Sequence, residues 1–308
     1  MKKNVLPFHP DLAGAKWIPK IPVNRFTLPL YRAQLKPKQP TASVDIQEID
    51  IPTRGGGQRV RLFRPAQTNS PLPLVFWIHG GGMVGGSPFA DEYQSIKIVE
   101  ALGVAVVNVS YRFAPEHPAP AAIDDVEDEY LFFINQAQEL SLDPTKIVVA
   151  GASAGGGLSA LLTQRLRYLL IPQPLMQVLL YPMLDDRTVL NDIAIKNMRA
   201  WFPSANIWAW RAFLNAEPGS VEVQKSFVPA RESDLSQLPP AWIGVGNLDL
   251  FLEEDREYAQ RLSDAGVECD LVIVEGAFHG FDTIFRNAAV SQHFFDMWVT
   301  AISARLNS

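Results

Sequence analysis

The chain has 308 residues, 47% of them apolar, enough for one large or two ordinary domains with a substantial core. Its 27 Lys and Arg against 33 Asp and Glu give a net charge of −6, which offers no electrostatic footprint for nucleic acid or anionic lipid and argues against polyanion binding. A single cysteine, Cys269, excludes an intrachain disulfide and a thiolate metal cluster; its expected role is a small buried hydrophobe.

Lys2 and Lys3 could open an export signal, but Pro7, Pro10 and Asp11 interrupt the apolar run of about 7 to 15 residues that such a signal needs. No stretch approaches the ~18 apolar residues that span a bilayer. The expectation is a cytoplasmic protein with no stable membrane insertion. Seven prolines between Pro7 and Pro40 keep any helix short, so residues 1–42 read as an irregular arm. "SVDIQEIDI" (43–51) and "RVRLFRP" (59–65) then alternate apolar and polar residues around "TRGGGQ", which predicts an antiparallel hairpin. "PLVFWI" (73–78), "VAVVNVS" (104–110), "KIVVA" (146–150), "MQVLLYP" (176–182), "AWIGVG" (241–246) and "DLVIVEG" (270–276) are compact apolar runs, the pattern of parallel strands covered on both faces.

Between them lie helical stripes, such as Ile123, Val126, Tyr130, Phe133 and Ile134, or Val290, Phe294, Met297, Trp298, Ala301 and Ile302. The alternation predicts an α/β fold with a mostly parallel eight-stranded sheet, helices on both faces and the hairpin at one edge. About 60 residues separate the strand ending at Pro182 from the next one, too many for a single crossover. Residues 187–219 therefore read as an insertion, leaving 43–186 and 220–308 as the main domain. The insertion holds Trp201, Phe202, Trp208, Trp210 and Phe213. They suit either a helix pair docked on the core or a cap over an apolar substrate pocket.

In "VVAGASAGGGLSA" (148–160), Ser153 sits between a strand and a helix in a G-x-S-x-G pentapeptide. That context makes the chain reverse sharply, leaves room only for glycine around the serine, and exposes its hydroxyl beside a helix N-terminus. A serine hydroxyl needs an adjacent base, and the base an orienting acid. Of five histidines, His279 in "EGAFHGF" follows a strand at the carboxyl rim of the sheet, where Ser153 also emerges. Asp249 in "VGNLDLF" reaches the same rim, with Asp185 and Asp186 as rival acids. "HGGGMVGG" (79–86) offers the amides of Gly81 and Gly82, with that of Ala154, to an oxyanion. Gly80, Gly82 and Gly85 also match a dinucleotide fingerprint, but the next strand ends in Ser110, Tyr111 and Arg112 rather than the acid that binding a ribose requires.

"HGGGMVGGS", "YRFAPEHPAPAAIDD" (111–125), "GASAGGGLSA" and "EGAFHGF", in this order, resemble the bacterial hormone-sensitive-lipase-like carboxylesterases of the α/β-hydrolase fold, from about residue 44 to the C-terminus. The resemblance implies a catalytic triad of Ser153, Asp249 and His279 and an oxyanion hole at Gly81, Gly82 and Ala154. It also implies a helical cap built from arm and insertion, with Trp201, Trp208, Trp210 and Phe213 facing substrate. It implies no metal or other cofactor and a small-molecule ester of short to medium acyl length as partner; His117 stays outside the chemistry. A homodimer is compatible with the chain. Two residues depart from the family pattern: Ala152 stands where Asp or Thr is common, and Leu250-Phe251 follow Asp249 where the family usually has Pro-Leu. The other class of reading is a binding protein on a hydrolase scaffold that has lost its chemistry.

Overall fold

The computed structural model describes residues 6–33, 39–68, 71–191 and 195–308. The predicted arm and insertion therefore lie partly outside the described residues. All eight predicted strands form: β1 (Val44–Ile51), β2 (Gln58–Pro65), β3 (Leu72–Ile78), β4 (Ala105–Asn108), β5 (Leu142–Ala152), β6 (Met176–Leu180), β7 (Ala241–Gly246) and β8 (Cys269–Val274). They make one sheet in the order β1-β2-β4-β3-β5-β6-β7-β8. β1 and β2 pair antiparallel, β2 runs antiparallel to β4, and β4 through to β8 are parallel.

The helices are α1 (Leu28–Tyr31), α2 (Glu92–Leu102), α3 (Ala121–Asn135), α4 (Ala154–Tyr168), α5 (Pro203–Leu214), α6 (Leu252–Asp264), α7 (Phe281–Ile284) and α8 (Ala289–Leu306), with a 3-10 helix over Pro10–Trp17 in the arm. Strand β3 shows how two-sided burial works. Leu74, Phe76 and Ile78 point to the layer holding Tyr130 and Phe133 of α3 and Leu158 of α4. Val75 and Trp77 point the other way, to Ile98 of α2 and Trp298 of α8. Period-two geometry thus persists inside a continuously apolar run. Among the described residues no helix is long and apolar enough to cross a membrane.

This order positions the site. The chain leaves β3 for β4 on one side and returns as β5 on the other, so the loops after β3 and β5 emerge side by side, with Ile78 paired to Gly151. A sheet that reverses direction in this way opens a crevice at its carboxyl ends.

Two expectations need correction. The insertion is not a helix pair: among the described residues α5 is its one α-helix, flanked by short 3-10 turns at Asp186–Leu190, Lys225–Phe227 and Pro229–Arg231. Pro203 starts α5, Asn215 ends it in the left-handed region, and Pro218, Gly219 and Pro229 prevent a second one. Cys269 is half-buried rather than buried, because it opens the edge strand β8; burial still pushes its thiol up to about 12.

Phe76 meets Tyr130 and Phe133 edge-on at 5.4 and 6.3 Å and is fully buried. Phe76→Ala is expected to cost about 3–5 kcal/mol in urea unfolding. A loss under about 1 kcal/mol would mean that β3 is not the central strand of the core.

Candidate active site

Strand β5 runs straight into Ser153, whose backbone lies at φ 57°, ψ −120°. Such a residue costs on the order of 1–3 kcal/mol and persists only where its surroundings fix it. Here Ser153 N–H donates to Leu180 O at 2.8 Å, and its carbonyl accepts from Met183 and Gly157 at 2.9 and 3.0 Å. A Cβ on Gly151 would overlap the backbone of Gly155, and one on Gly155 would overlap the carbonyl of Ile78. Glycine is therefore a steric requirement at both positions, and the turn brings the hydroxyl to the crevice.

His279, in the loop between β8 and α7, lies with Nε2 2.9 Å from Ser153 Oγ and Nδ1 2.9 Å from Asp249 Oδ2. Asp249 follows β7, is fully buried, and accepts the Phe251 amide on its other oxygen at 3.0 Å. Three rings fix the imidazole plane: Tyr181 at 4.9 Å and Phe251 at 5.2 Å edge-on, and Trp201 at 6.3 Å. Asp185 is taken up by Arg187, and Asp186 by Arg231 and the Gly219 amide. Both rivals serve the insertion instead of the histidine.

Gly80 to Gly82 lie against this centre. A Cβ on Gly80 would come within 2.9 Å of Ala152 O and 3.3 Å of Ser153 Cβ, while one on Gly82 would overlap the Trp201 ring. Gly81 and Gly82 take φ 127° and 63°. Among the described residues no acceptor takes the amides of Gly81, Gly82 or Ala154, so all three stay available. The glycine loop folds on itself, with Gly81 O accepting from Val84 and Gly85, and α2 starts only at Glu92. This leaves no helix N-terminus at the glycines to seat a pyrophosphate, and the dinucleotide reading fails.

The four insertion aromatics do not act together. Trp201 reaches the crevice, and Trp208 is half-buried against the core. Trp210 and Phe213 expose no surface, being packed on each other at 6.1 Å within the core. Of the four, Trp201 is the one placed beside Gly82 and His279.

Sequence reasoning missed Tyr181 and Asp282. Tyr181 adopts φ 37°, and its hydroxyl donates to Asp282 Oδ1 at 2.8 Å. Burial raises the Asp282 carboxyl above its ordinary range, opposed first by the hydrogen bond from Tyr181. The available signal was an acid three residues after His279 in "HGFD". His79 lies beneath the glycine loop and holds it. Its Nδ1–H donates to Gly80 O at 2.7 Å, and its ring stacks on Tyr111 at 4.4 Å.

A model of the alpha/beta hydrolase fold matches residues 75–283. The chain belongs to the alpha/beta hydrolase fold family. Within it the chain groups with the hormone-sensitive-lipase-like carboxylesterases. It is 35% identical over 230 residues to carboxylesterase NlhH of Mycobacterium tuberculosis, covering 72% of this chain and 70% of that one. With carboxylic ester hydrolase LipN of the same organism it shares 30% over 280 residues, 87% of this chain and 72% of the other. The solved bacterial heroin esterase superposes with a TM-score of 0.89 at 31% identity, covering 98% of each chain. Among the described residues of this hydrolase, no group of three or more His, Cys, Asp or Glu is placed to hold a metal ion.

Burial pushes the His79 imidazole down to about 4. The unfolded value is about 6.5, so the folded chain binds fewer protons between the two. The stabilisation from neutral His79 is full above about 6.5 and is lost as pH falls toward 4. His79→Asn keeps an N–H for Gly80 but does not titrate. Between about pH 7 and 4.5 the wild type should lose roughly 2–3 kcal/mol more unfolding free energy than this variant. Parallel curves for the two proteins would refute this role of His79.

Proposed function

We propose that this α/β hydrolase is a serine carboxylesterase, cleaving small-molecule esters of short to medium acyl length through an acyl-enzyme. The observation that carries the reading is the unbroken run of two 2.9 Å hydrogen bonds from Ser153 Oγ through His279 to Asp249. Ser153 Oγ attacks the ester carbonyl as its proton passes to His279 Nε2, and Asp249 holds the Nδ1 proton and stabilises the imidazolium. The amides of Gly81, Gly82 and Ala154 receive the negative oxygen; one such donor typically contributes about 3–4 kcal/mol to barrier lowering. The tetrahedral intermediate collapses, the C–O bond to the alcohol breaks, and His279 returns the proton to the leaving oxygen. Water then repeats the sequence on the acyl-serine and releases the acid.

Residues 43–186 and 220–308 form the catalytic domain in this reading, with 1–42 and 187–219 as cap. The complete set of nucleophile, base, acid and free amides favours an enzyme over a binding protein on the same scaffold.

Ser153→Ala should lower kcat on p-nitrophenyl butyrate by about 10⁶-fold, and Asp249→Asn by about 10⁴-fold. Asp185→Asn should leave kcat within about threefold. Substantial turnover by Ser153→Ala, or a larger loss from Asp185→Asn than from Asp249→Asn, would overturn the assignment.

The Trp201 ring occupies the space beside Gly82 and His279, and its Nε1 is held by Asn206 Oδ1 at 3.2 Å. In this reading it is the acyl-pocket wall that limits chain length. Trp201→Ala should move the acyl optimum of a p-nitrophenyl ester series toward longer chains. An unchanged ranking would remove Trp201 from the pocket.

A further inference from the structure

The net charge of −6 conceals a strong local segregation. No Asp or Glu occurs between Asp11 and Asp45, a stretch that carries Lys16, Lys20, Arg25, Arg32, Lys36 and Lys38. Its described part also reverses the usual order of burial. Leu12, Ala15, Val23 and Leu28 are buried, whereas Trp17, Phe26, Leu30 and Ile21 are 80%, 78%, 73% and 55% exposed. Burying an aromatic ring gains more than burying Ala or Val, so large side chains left in water on an anchored segment mark a contact surface.

Lys16 and Arg25 lie over the Trp17 and Phe26 rings at 5.4 and 4.5 Å, and Lys20 over Phe202 at 5.3 Å. Among the described residues, none of these three cations has an acidic partner. Arg32, by contrast, is bound to Glu116, Ala114 O and Val84 O, and the Tyr31 ring closes on Gly85. The segment is therefore fixed to the glycine loop at one end. At the other it is fixed to the insertion, where Arg199 Nε donates to Ala15 O at 2.9 Å. It borders the crevice.

We infer that residues 16–31 are an interfacial docking segment that adsorbs this protein to an anionic lipid surface, with Trp17, Phe26 and Leu30 entering the headgroup region and Lys16, Lys20 and Arg25 meeting its charge. Aromatic rings at headgroup depth flanked by free cations are the arrangement such interfaces select. A second copy of this chain would bring the same cations against each other in a two-fold contact. A single-stranded nucleic acid would use the rings but gain nothing from Leu30 or Ile21, which have no π-face. The lipid surface uses all of them.

The test is sedimentation of the full chain with vesicles of phosphatidylcholine alone or mixed with phosphatidylglycerol. The protein should sediment with the mixed vesicles only, and should be released when salt rises from about 0.1 to about 1 M and the screening length shrinks from ~10 to ~3 Å. Lys16→Gln/Lys20→Gln/Arg25→Gln should weaken partitioning roughly a hundredfold, from about 1 kcal/mol per cation. Trp17→Ser/Phe26→Ser/Leu30→Ser should abolish it. Both variants should keep the wild-type far-UV circular dichroism spectrum and urea-unfolding midpoint, which separates loss of docking from loss of folding. Three outcomes would each overturn the inference: equal binding to both vesicle types or to neither, a wild-type dimer that the apolar variant converts to monomer, or equal affinity for a single-stranded oligonucleotide.

Discussion

The site depends on one backbone residue held where side-chain-bearing residues rarely go. Ser153 at φ 57° lets β5 turn into α4 within a single residue, and the turn closes only because Gly151 and Gly155 bring no Cβ between the strand, the helix and the end of β3. Everything else at the crevice is placed relative to that contact. Since β3 abuts β5, the glycine loop that follows β3 necessarily lies against the serine. The strain is offset by the three backbone hydrogen bonds to Leu180, Met183 and Gly157, so it is β6 and α4 that keep the hydroxyl in place.

Two histidines close to this turn show how surroundings assign a role. His79 is buried, and its Nδ1–H bonds a backbone carbonyl; desolvation keeps it neutral, and a neutral ring suits a fixed donor beneath the glycine loop. His279 is equally enclosed but faces the buried carboxylate of Asp249 on one side and a hydroxyl on the other. Only the second has the hydroxyl, imidazole and carboxylate in sequence that the proposed mechanism uses. Tyr181 packs edge-on against that imidazole and donates its hydroxyl to Asp282, whose carboxyl burial raises above its ordinary range.

Legibility followed the strength of the physical constraint. Continuous runs such as "PLVFWI" must be covered on both faces, and a serine between Gly151 and Gly155 after a strand calls for a sharp turn, so the sheet and the strand-to-helix turn were readable in the chain. Asp249 was harder, because Asp185 and Asp186 also follow a strand and only the ion pairs to Arg187 and Arg231 show them engaged elsewhere. The insertion was least legible. Trp201 and Trp210 carry identical side chains nine residues apart, yet one reaches the crevice and the other fills the core. Composition reports apolar area but not which side of a helix receives it.

The floor of the crevice and the segments around it are joined by the same force. The floor rests on β3, β5 and β6, whose side chains are buried on both faces of the sheet. Val23 and Leu28 of the arm, and Trp201, Trp210 and Phe213 of the insertion, belong to the same buried cluster as Leu74, Phe76 and Ile78 of β3. Lifting either segment would therefore expose several large side chains at once. Charge-assisted hydrogen bonds add direction to this packing. Arg199 Nε donates to Ala15 O and so ties the insertion to the arm, while Arg32 bonds Val84 O, Ala114 O and Glu116. Each such bond contributes about 1.5–3 kcal/mol. Arg32 thus links the arm, the glycine loop and the segment before α3, and any shift of the arm at that residue reaches Val84, two residues beyond Gly82.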